Sequence, residues 1–370
     1  MIIVGCDFHP SFQQVAFLDT ESGEVEEKSL THSSGEAEQF YGQLARPALV
    51  GMEAVGNSQW FVGLLERLGH ELWIADAAQI RASYVRQQKT DRRDAGHILK
   101  LLIEGRLPRI WTPSTEMRDH RQLLVHRHKL VQLRTRVKNE LQHLALNQGM
   151  QRKWRLWTAE GRGKLEALSL DRWASQRRHD LLQLLAMLEG QLESLTQAVT
   201  EVAETYPSVR LLMTQPGVGP VTALGFVLTI GDVRRFSRSK QVSSYLGLIP
   251  REHSSGGKQR MGSISKQGNR LLRTLLVEAS QSVVRFDPQF RTEYQHRCHQ
   301  KHRAVAKVAA ARKLAVRLFW MLRTQRPYPD VFASRAADLY HGRLSQTVKL
   351  NRHSRTRQRL GVRIEESWPK

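Results

Sequence analysis

The chain is short of cysteine, short of acids over most of its length, and without a long apolar run. Its 370 residues contain 2 cysteines, Cys6 and Cys298. They supply neither a disulfide framework nor a metal-spaced cluster, and so suggest a reducing compartment. No apolar stretch approaches the length that crosses a bilayer, and the opening MIIVGCDF turns polar without a basic leader. The expectation is a soluble, cytoplasmic protein with no membrane partner. A Walker-type phosphate loop is also missing, so energy-coupled strand opening is not expected. The scarcity of acid is uneven. Residues 1–100 carry 9 Lys and Arg against 14 Asp and Glu, a net of −5, while residues 101–370 carry 48 against 21, a net of +27. A basic excess of that size favours a polyanion through phosphate contacts and counterion release, and ribosomal or chromatin-like packing satisfies it equally well. The length allows two or three domains, each with its own core.

The acidic segment is ordered. Ile2 to Cys6 is a continuous apolar run ending at Asp7, the pattern of a buried central strand. Val15 to Leu18 and Val25 to Leu30, split by a Glu-Ser-Gly-Glu turn, extend it as an antiparallel meander. A helix over 35–44, a strand ending at Glu53, a helix over 60–68 and a strand at Leu72-Trp73-Ile74 complete an α/β alternation. Asp91 and Asp94, three apart at the head of an apolar helical run, share one face. Two acids held together repel unless a cation lies between them, although an acidic first turn capped by Asp91 needs no metal. Asp76, after the Leu72 strand, is a rival ligand.

Three strands followed by alternating helices and strands, with acids at two strand ends, resemble the RNase H-like fold. Asp7, Glu53, Asp91 and Asp94 resemble the acidic tetrad of RuvC-type nucleases. Such a tetrad holds two Mg²⁺ ions that activate the attacking oxygen and stabilise the leaving oxygen on phosphorus.

Beyond Pro113 the composition turns basic. Leu130, Leu133, Val137, Leu141 and Leu144 recur at spacings of 3 and 4, giving a helix with one apolar face. Arg127, Lys129, Arg134, Arg136 and Lys138 on its other faces, with Arg152 and Lys153 beyond, are candidate nucleic-acid contacts. Leu181, Leu185, Leu188, Leu192, Leu195, Val199 and Val202 repeat as a coiled-coil seam that pairs either within one chain or between chains. Next, the glycines Gly217 and Gly219 in PGVGPVTA resemble a helix-hairpin-helix element, whose backbone amides approach a DNA phosphate; an ordinary helix-turn is the alternative. A Ser-Ser-Gly-Gly loop then lies among Lys258, Arg260, Lys266 and Arg270, where a hydroxyl can meet a phosphodiester. Beyond Pro327 the basic segment over 327–370 reads as a tail.

In order, GCDFHP, GMEAVGN, KTDRRDA, PGVGPVTA, YLGLIP, HSSGG and GSISKQGN resemble the DEDD-type transposases of the insertion-sequence one-ten family, which includes the Piv-like DNA invertases. The resemblance covers about residues 1–325. It implies a RuvC-like catalytic domain (1–110), a basic coiled-coil arm (111–205) and a mainly α-helical transposase domain (206–326) with an essential serine before a glycine. That serine maps to Ser255, and Ser254 is its immediate neighbour. The resemblance further implies Mg²⁺, donor and target DNA and an element-encoded noncoding guide RNA, and the arm suggests a dimer or tetramer in which tetrad and serine come from different protomers. Recombination through covalent intermediates needs no ATP. A Holliday-junction resolvase with water as nucleophile is the alternative reading.

Overall fold

The apolar opening forms β1 (Ile2–Phe8), which pairs antiparallel with β2 (Phe12–Asp19), and β2 pairs antiparallel with β3 (Val25–Thr31). After α1 (Glu36–Gln43), β4 (Leu49–Glu53) joins the free edge of β1 in parallel; after α2 (Gln59–Leu68), β5 (Glu71–Ala75) joins β4 in parallel. The resulting order is β3-β2-β1-β4-β5. The computed structural model describes residues 1–45, 47–84, 90–150, 155–254 and 260–330. It divides into two units, Met1–Glu116 and Met117–Lys370.

Alternation along β1 sends successive side chains to opposite faces. Val4 and Cys6 join Val15, Met52, Tyr41, Phe61 and Leu65 in a core beneath α1 and α2. Ile3 faces the other way, to Ala95, Ile98, Leu99 and Leu102 of α4 (Asp91–Ile103). Each large aliphatic buried on α4 contributes about 1.5–3 kcal/mol, which holds the helix to the sheet. α3 (Ala77–Ala82) precedes it. Asp76 is the N-cap of α3, accepting from the Ala78 and Gln79 N–H groups, so the rival ligand has a structural task. Thr90, rather than Asp91, caps α4 by accepting from Arg93 N–H.

The second unit is mostly helical. α5 (Thr115–Asn147), α6 (Ala159–Glu166) and α7 (Arg172–Thr205) share a core in which Leu130, Val137, Leu141 and Leu144 meet Leu185, Leu188 and Leu192. The leucine repeat of α7 is thus engaged by α5 of the same chain. Lys138 Nζ lies 2.9 Å from Glu189 Oε1 across the pair. Farther along, Val199 and Ala203 pass into a second core.

At the centre of that second core is α9 (Pro220–Ile230), preceded by α8 (Pro207–Met213). Residues Thr222 to Ile230 are all buried, as an all-round apolar helix must be. A short 3₁₀ turn, Val233–Arg235, leads to α10 (Ser239–Tyr245). β6 (Pro250–Glu252) and β7 (Met261–Ile264) pair antiparallel, then α11 (Arg270–Phe286), α12 (Pro288–Gln300) and α13 (Arg303–Thr324) close the unit. The mixed five-stranded N-terminal sheet and the helical remainder agree with the expected fold class, while the short β6–β7 pair left no sign in the sequence. The tail over 331–370 lies outside the described residues.

Candidate active site and nucleic-acid surface

Register brings two of the four acids side by side. Cys6 of β1 pairs with Met52 of β4, so Asp7 and Glu53 follow on adjacent parallel strands. The helix supplies the other two because it crosses β1 at Gly5. A Cβ on Gly5 would lie 2.4 Å from Ala95 O and 2.4 Å from Leu99 N, so only glycine allows this approach. Asp91 and Asp94 then project from the first turn of α4, which favours acids through its backbone N–H groups.

A cluster results. Oxygens of Asp7 and Asp91 and a nitrogen of His9 all lie within 4.8 Å of one another. His9 Nε2 is 3.2 Å from Asp7 Oδ2 and 3.7 Å from Asp91 Oδ1. Asp94 is 7% exposed, and the Tyr84 hydroxyl donates to its Oδ1 at 2.5 Å. Arg81 Nη2 reaches Glu53 Oε1 at 3.3 Å. Burial raises the Asp7 carboxyl above its ordinary value; His9 opposes this, and the Asp94 and Asp91 carboxylates add to it. Burial likewise raises the Tyr84 phenol, with Asp94, Asp7 and Glu53 contributing.

A carboxyl raised first by burial, and further by two nearby carboxylates, is one whose ionised form a bound cation would favour. The donors in this cluster are hard oxygens with one imidazole nitrogen and no thiolate, which suits a hard divalent cation. Of the four expected acids, Asp7 and Asp91 come together, with His9 between them, while Glu53 faces Arg81 and Asp94 faces Tyr84 outside that trio. His9, Arg81 and Tyr84 were not singled out from sequence. His9 had a signal, standing two residues after Asp7 inside GCDFHP, whereas Tyr84 had none.

Candidate cationic contacts fall into groups. Lys129 and Arg136 are exposed on α5. Arg127 donates through Nε to Thr196 Oγ1 at 3.0 Å, and Lys138 pairs with Glu189 while lying 5.0 Å from the Trp157 ring centroid. Burial lowers the affinity of Arg127 for its proton, and Arg134 adds to the effect. His128 is lowered by burial, then by Arg270 and Arg127; Arg273 is lowered by burial, then by Arg270. These mutually repelling cations connect α5 with the start of α11, a patch for which a polyanion is the natural counter-charge. Arg273 also donates to the carbonyls of Leu246 at 3.3 Å and Gly268 at 3.1 Å, holding the turn before α11.

Gly217 has φ 86°, and a Cβ there would lie 2.5 Å from Val283 N, so packing against α11 accounts for this glycine. Gly219 caps α9, and a Cβ there would meet nothing within 4 Å. Lys266 is exposed and left-handed at φ 57°. Arg260 is exposed, and its N–H donates to Ser254 Oγ at 3.2 Å, while that hydroxyl donates to Glu252 Oε1 at 2.6 Å. Ser255, Lys258, Arg152 and Lys153 lie outside the described residues.

The first unit gathers acids at the ends of β1 and β4 and at the head of α4, and the second carries a patch of repelling cations suited to a polyanion. A transposase family model of the DEDD type, named for IS110, matches residues 4–149, and a second, described as transposase IS116/IS110/IS902 family, matches residues 209–295. A "Probable family 20 transposase" of Pseudomonas aeruginosa is 30% identical over 292 residues, covering 76% of this chain and 84% of the relative. The transposase for insertion sequence element IS1111A of Coxiella burnetii is 28% identical over 244 residues, 63% of this chain and 65% of the relative. The pilin gene-inverting protein of Moraxella lacunata is 33% identical over 123 residues, 32% of this chain and 38% of the relative. The chain belongs to the IS110 family of insertion-sequence transposases, enzymes of DNA recombination.

Proposed function

We propose that this transposase cuts and exchanges DNA strands through a covalent serine intermediate, at a composite of the acid cluster and the Ser-Ser-Gly-Gly loop. The observation that carries the reading is the convergence of Asp7, His9 and Asp91, with the carboxyl of Asp7 raised by burial and, further, by Asp94 and Asp91. The strand order β3-β2-β1-β4-β5 with acids at the ends of β1 and β4 supports a RuvC-like domain over 1–110. The apolar core that α5 shares with α7 supports a coiled-coil arm over 111–205, followed by a transposase domain over 206–326.

Asp7, Glu53, Asp91 and Asp94 hold Mg²⁺, two ions in the fullest version. Bound there, the metal supplies positive charge to the scissile phosphate and to the oxygens entering and leaving phosphorus. Ser255 Oγ attacks phosphorus and gives up its proton; the P–O bond to the deoxyribose breaks, and the departing oxygen takes a proton to become a free hydroxyl. A phosphoserine ester joins protein to DNA. Attack by the hydroxyl of another strand reverses these changes, restores Ser255 and completes exchange without ATP. Ser254 is engaged at both its donor and acceptor sides, which favours Ser255 as nucleophile.

The basic remainder binds DNA together with the element-encoded guide RNA, and base pairing chooses the sites while the protein reads backbone and shape. Lys129, Arg136, Arg134, Arg270 and Lys266 are the favoured phosphate contacts. The acting species is a dimer or tetramer, cytoplasmic and associated with the nucleoid. The test is incubation with the flanking noncoding RNA, Mg²⁺ and labelled target DNA, followed by denaturing electrophoresis. A denaturant-resistant adduct that disappears in Ser255→Ala and in Asp91→Ala is the expected result. Cleavage with no adduct would instead make water the nucleophile, as in a junction resolvase, and reduce Ser255 to a phosphate contact.

A further inference from the structure

We propose that Tyr84 is a positioning residue for the metal-binding carboxylate of Asp94, the anchor of a four-residue brace between the end of α3 and the face of α4. The inference rests on the reading of Asp94 as a metal ligand, and it adds a residue that this reading does not contain.

The brace is built from adjacent pairs. Ser83 and Tyr84 follow one another at the end of α3, and Asp94 and His97 lie three apart on one face of α4. Tyr84 OH donates to Asp94 Oδ1 at 2.5 Å, the short distance of a charge-assisted bond to a carboxylate. Its ring lies against that of His97, with centroids 4.2 Å apart and planes at 31°. His97 Nε2 is 2.8 Å from Ser83 Oγ, and that hydroxyl donates to Ile80 O at 2.7 Å. Ser83 therefore accepts, and His97 carries its proton on Nε2. Burial, and then Lys100, lowers the affinity of the His97 ring for a second proton.

The hydrogen bond is aimed at the acid that most needs it. Asp94 is 7% exposed, so its carboxylate has lost most of its water, and an ionised oxygen without a donor would be costly. The phenol replaces that water at Oδ1 and fixes the side-chain rotamer, which presents Oδ2 in one orientation. Asp94 opens α4 one turn after Asp91, beside the strand that carries Asp7. Partners of this kind raise metal affinity by removing the disorder that a ligand would otherwise lose on binding.

The full-length chain, stripped with EDTA, is titrated with Mn²⁺ by electron paramagnetic resonance and with Mg²⁺ by calorimetry, comparing wild type, Tyr84→Phe, Ser83→Ala and Asp94→Ala. Circular dichroism in EDTA checks that each variant is folded. Tyr84→Phe keeps the ring on His97 and removes only the hydroxyl; it is expected to weaken divalent binding by about 10–100-fold, the usual effect of losing a partner of a metal ligand. Ser83→Ala, acting through His97, is expected to weaken it less. DNA cleavage by Tyr84→Phe should need more Mg²⁺ for half-saturation and approach the wild-type rate when saturated. Wild-type affinity in Tyr84→Phe, with binding lost in Asp94→Ala, overturns the brace and leaves the tetrad standing. Wild-type affinity in Asp94→Ala overturns the tetrad reading itself, and the brace with it.

Discussion

Gly5 and Leu99 touch backbone to backbone: a Cβ on Gly5 would lie 2.4 Å from Leu99 N and 2.9 Å from Leu99 Cα. This contact lies two residues before Asp7 and fixes how α4, with Asp91 and Asp94 in its first turn, crosses β1. Gly5→Ala is expected to destabilise the first unit by about 1–3 kcal/mol, the usual cost of overpacking, because backbone cannot rotate away as a side chain can. It should also weaken divalent binding with all four acids intact. Chemical unfolding and metal titration of the same sample check both; loss of stability with unchanged metal affinity would separate the helix crossing from the site.

The Asp7 carboxyl sets a trade between stability and metal binding. Its folded value is raised by burial first, so the metal-free fold holds the proton to higher pH than the unfolded chain does. The stability this confers is full below the unfolded carboxyl's value and is lost as pH rises through the folded one. At neutral pH an ionised Asp7 is therefore a cost to the metal-free fold. Asp7→Asn in EDTA is expected to melt at or above the wild-type temperature at neutral pH and to gain nothing from Mg²⁺. Wild type should gain about 2.7 kcal/mol with Mg²⁺ at 100 times its dissociation constant. Thermal melts with and without metal decide it, and a wild type insensitive to Mg²⁺ would remove the metal from the account.

Much of this site was legible because its acids terminate recognisable patterns. Asp7 and Glu53 end apolar runs, and Asp91 and Asp94 open an amphipathic one. Tyr84 and His97 were not: Tyr84 lies outside the helices, and His97, although three residues after Asp94 on α4, acquires its role only from where the end of α3 meets that helix. Gly217 illustrates the opposite difficulty. A glycine between two helices suits a phosphate contact and a tight packing contact alike, and only the position of Val283 identifies the second. The β6–β7 pair was missed because Pro-Arg-Glu and Met-Gly-Ser-Ile are too short, and too rich in Pro, Gly and Ser, to show alternation.

Asp287 and Arg317 form an ion pair in which the side chains are 1% and 4% exposed. Asp287 caps α12 by accepting from Phe290 N–H at 2.8 Å, and Arg317 of α13 lies 4.7 Å from the Phe290 ring centroid. Burial alone would raise the Asp287 carboxyl, but the Phe290 N–H and Arg317 outweigh it, and the net shift is downward. Arg317→Met leaves a buried charge and is expected to cost about 3–5 kcal/mol, with Arg317→Met/Asp287→Asn costing less than the two single changes together. The pair's contribution is present above the ordinary carboxyl value and lost as pH falls through the lowered one, so the gap between wild type and Arg317→Met should narrow in acid. Urea unfolding across pH measures it; a gap constant into strong acid would assign the loss to packing.

Lys266 tests whether strain and nucleic-acid contact reside in one residue. It is exposed and held at φ 57°, while its N–H donates to Gly247 O at 3.2 Å and a Cβ on Gly247 would lie 2.2 Å from Gln267 O. Left-handed backbone costs an L-residue about 1–2 kcal/mol, and glycine escapes most of that. Backbone held so tightly leaves Lys266 no ordinary conformation to relax into. Lys266→Gly and Lys266→Ala both remove the ammonium, but only the first removes the strain. The glycine variant is therefore expected to be the more stable of the two by about 1 kcal/mol. Both should bind nucleic acid more weakly, with the slope of log affinity against log salt reduced by about 1. Equal melting of the two variants would deny the strain, and an unchanged salt slope would deny the phosphate contact. Because one comparison varies backbone and the other varies charge, each claim stands or falls without the other.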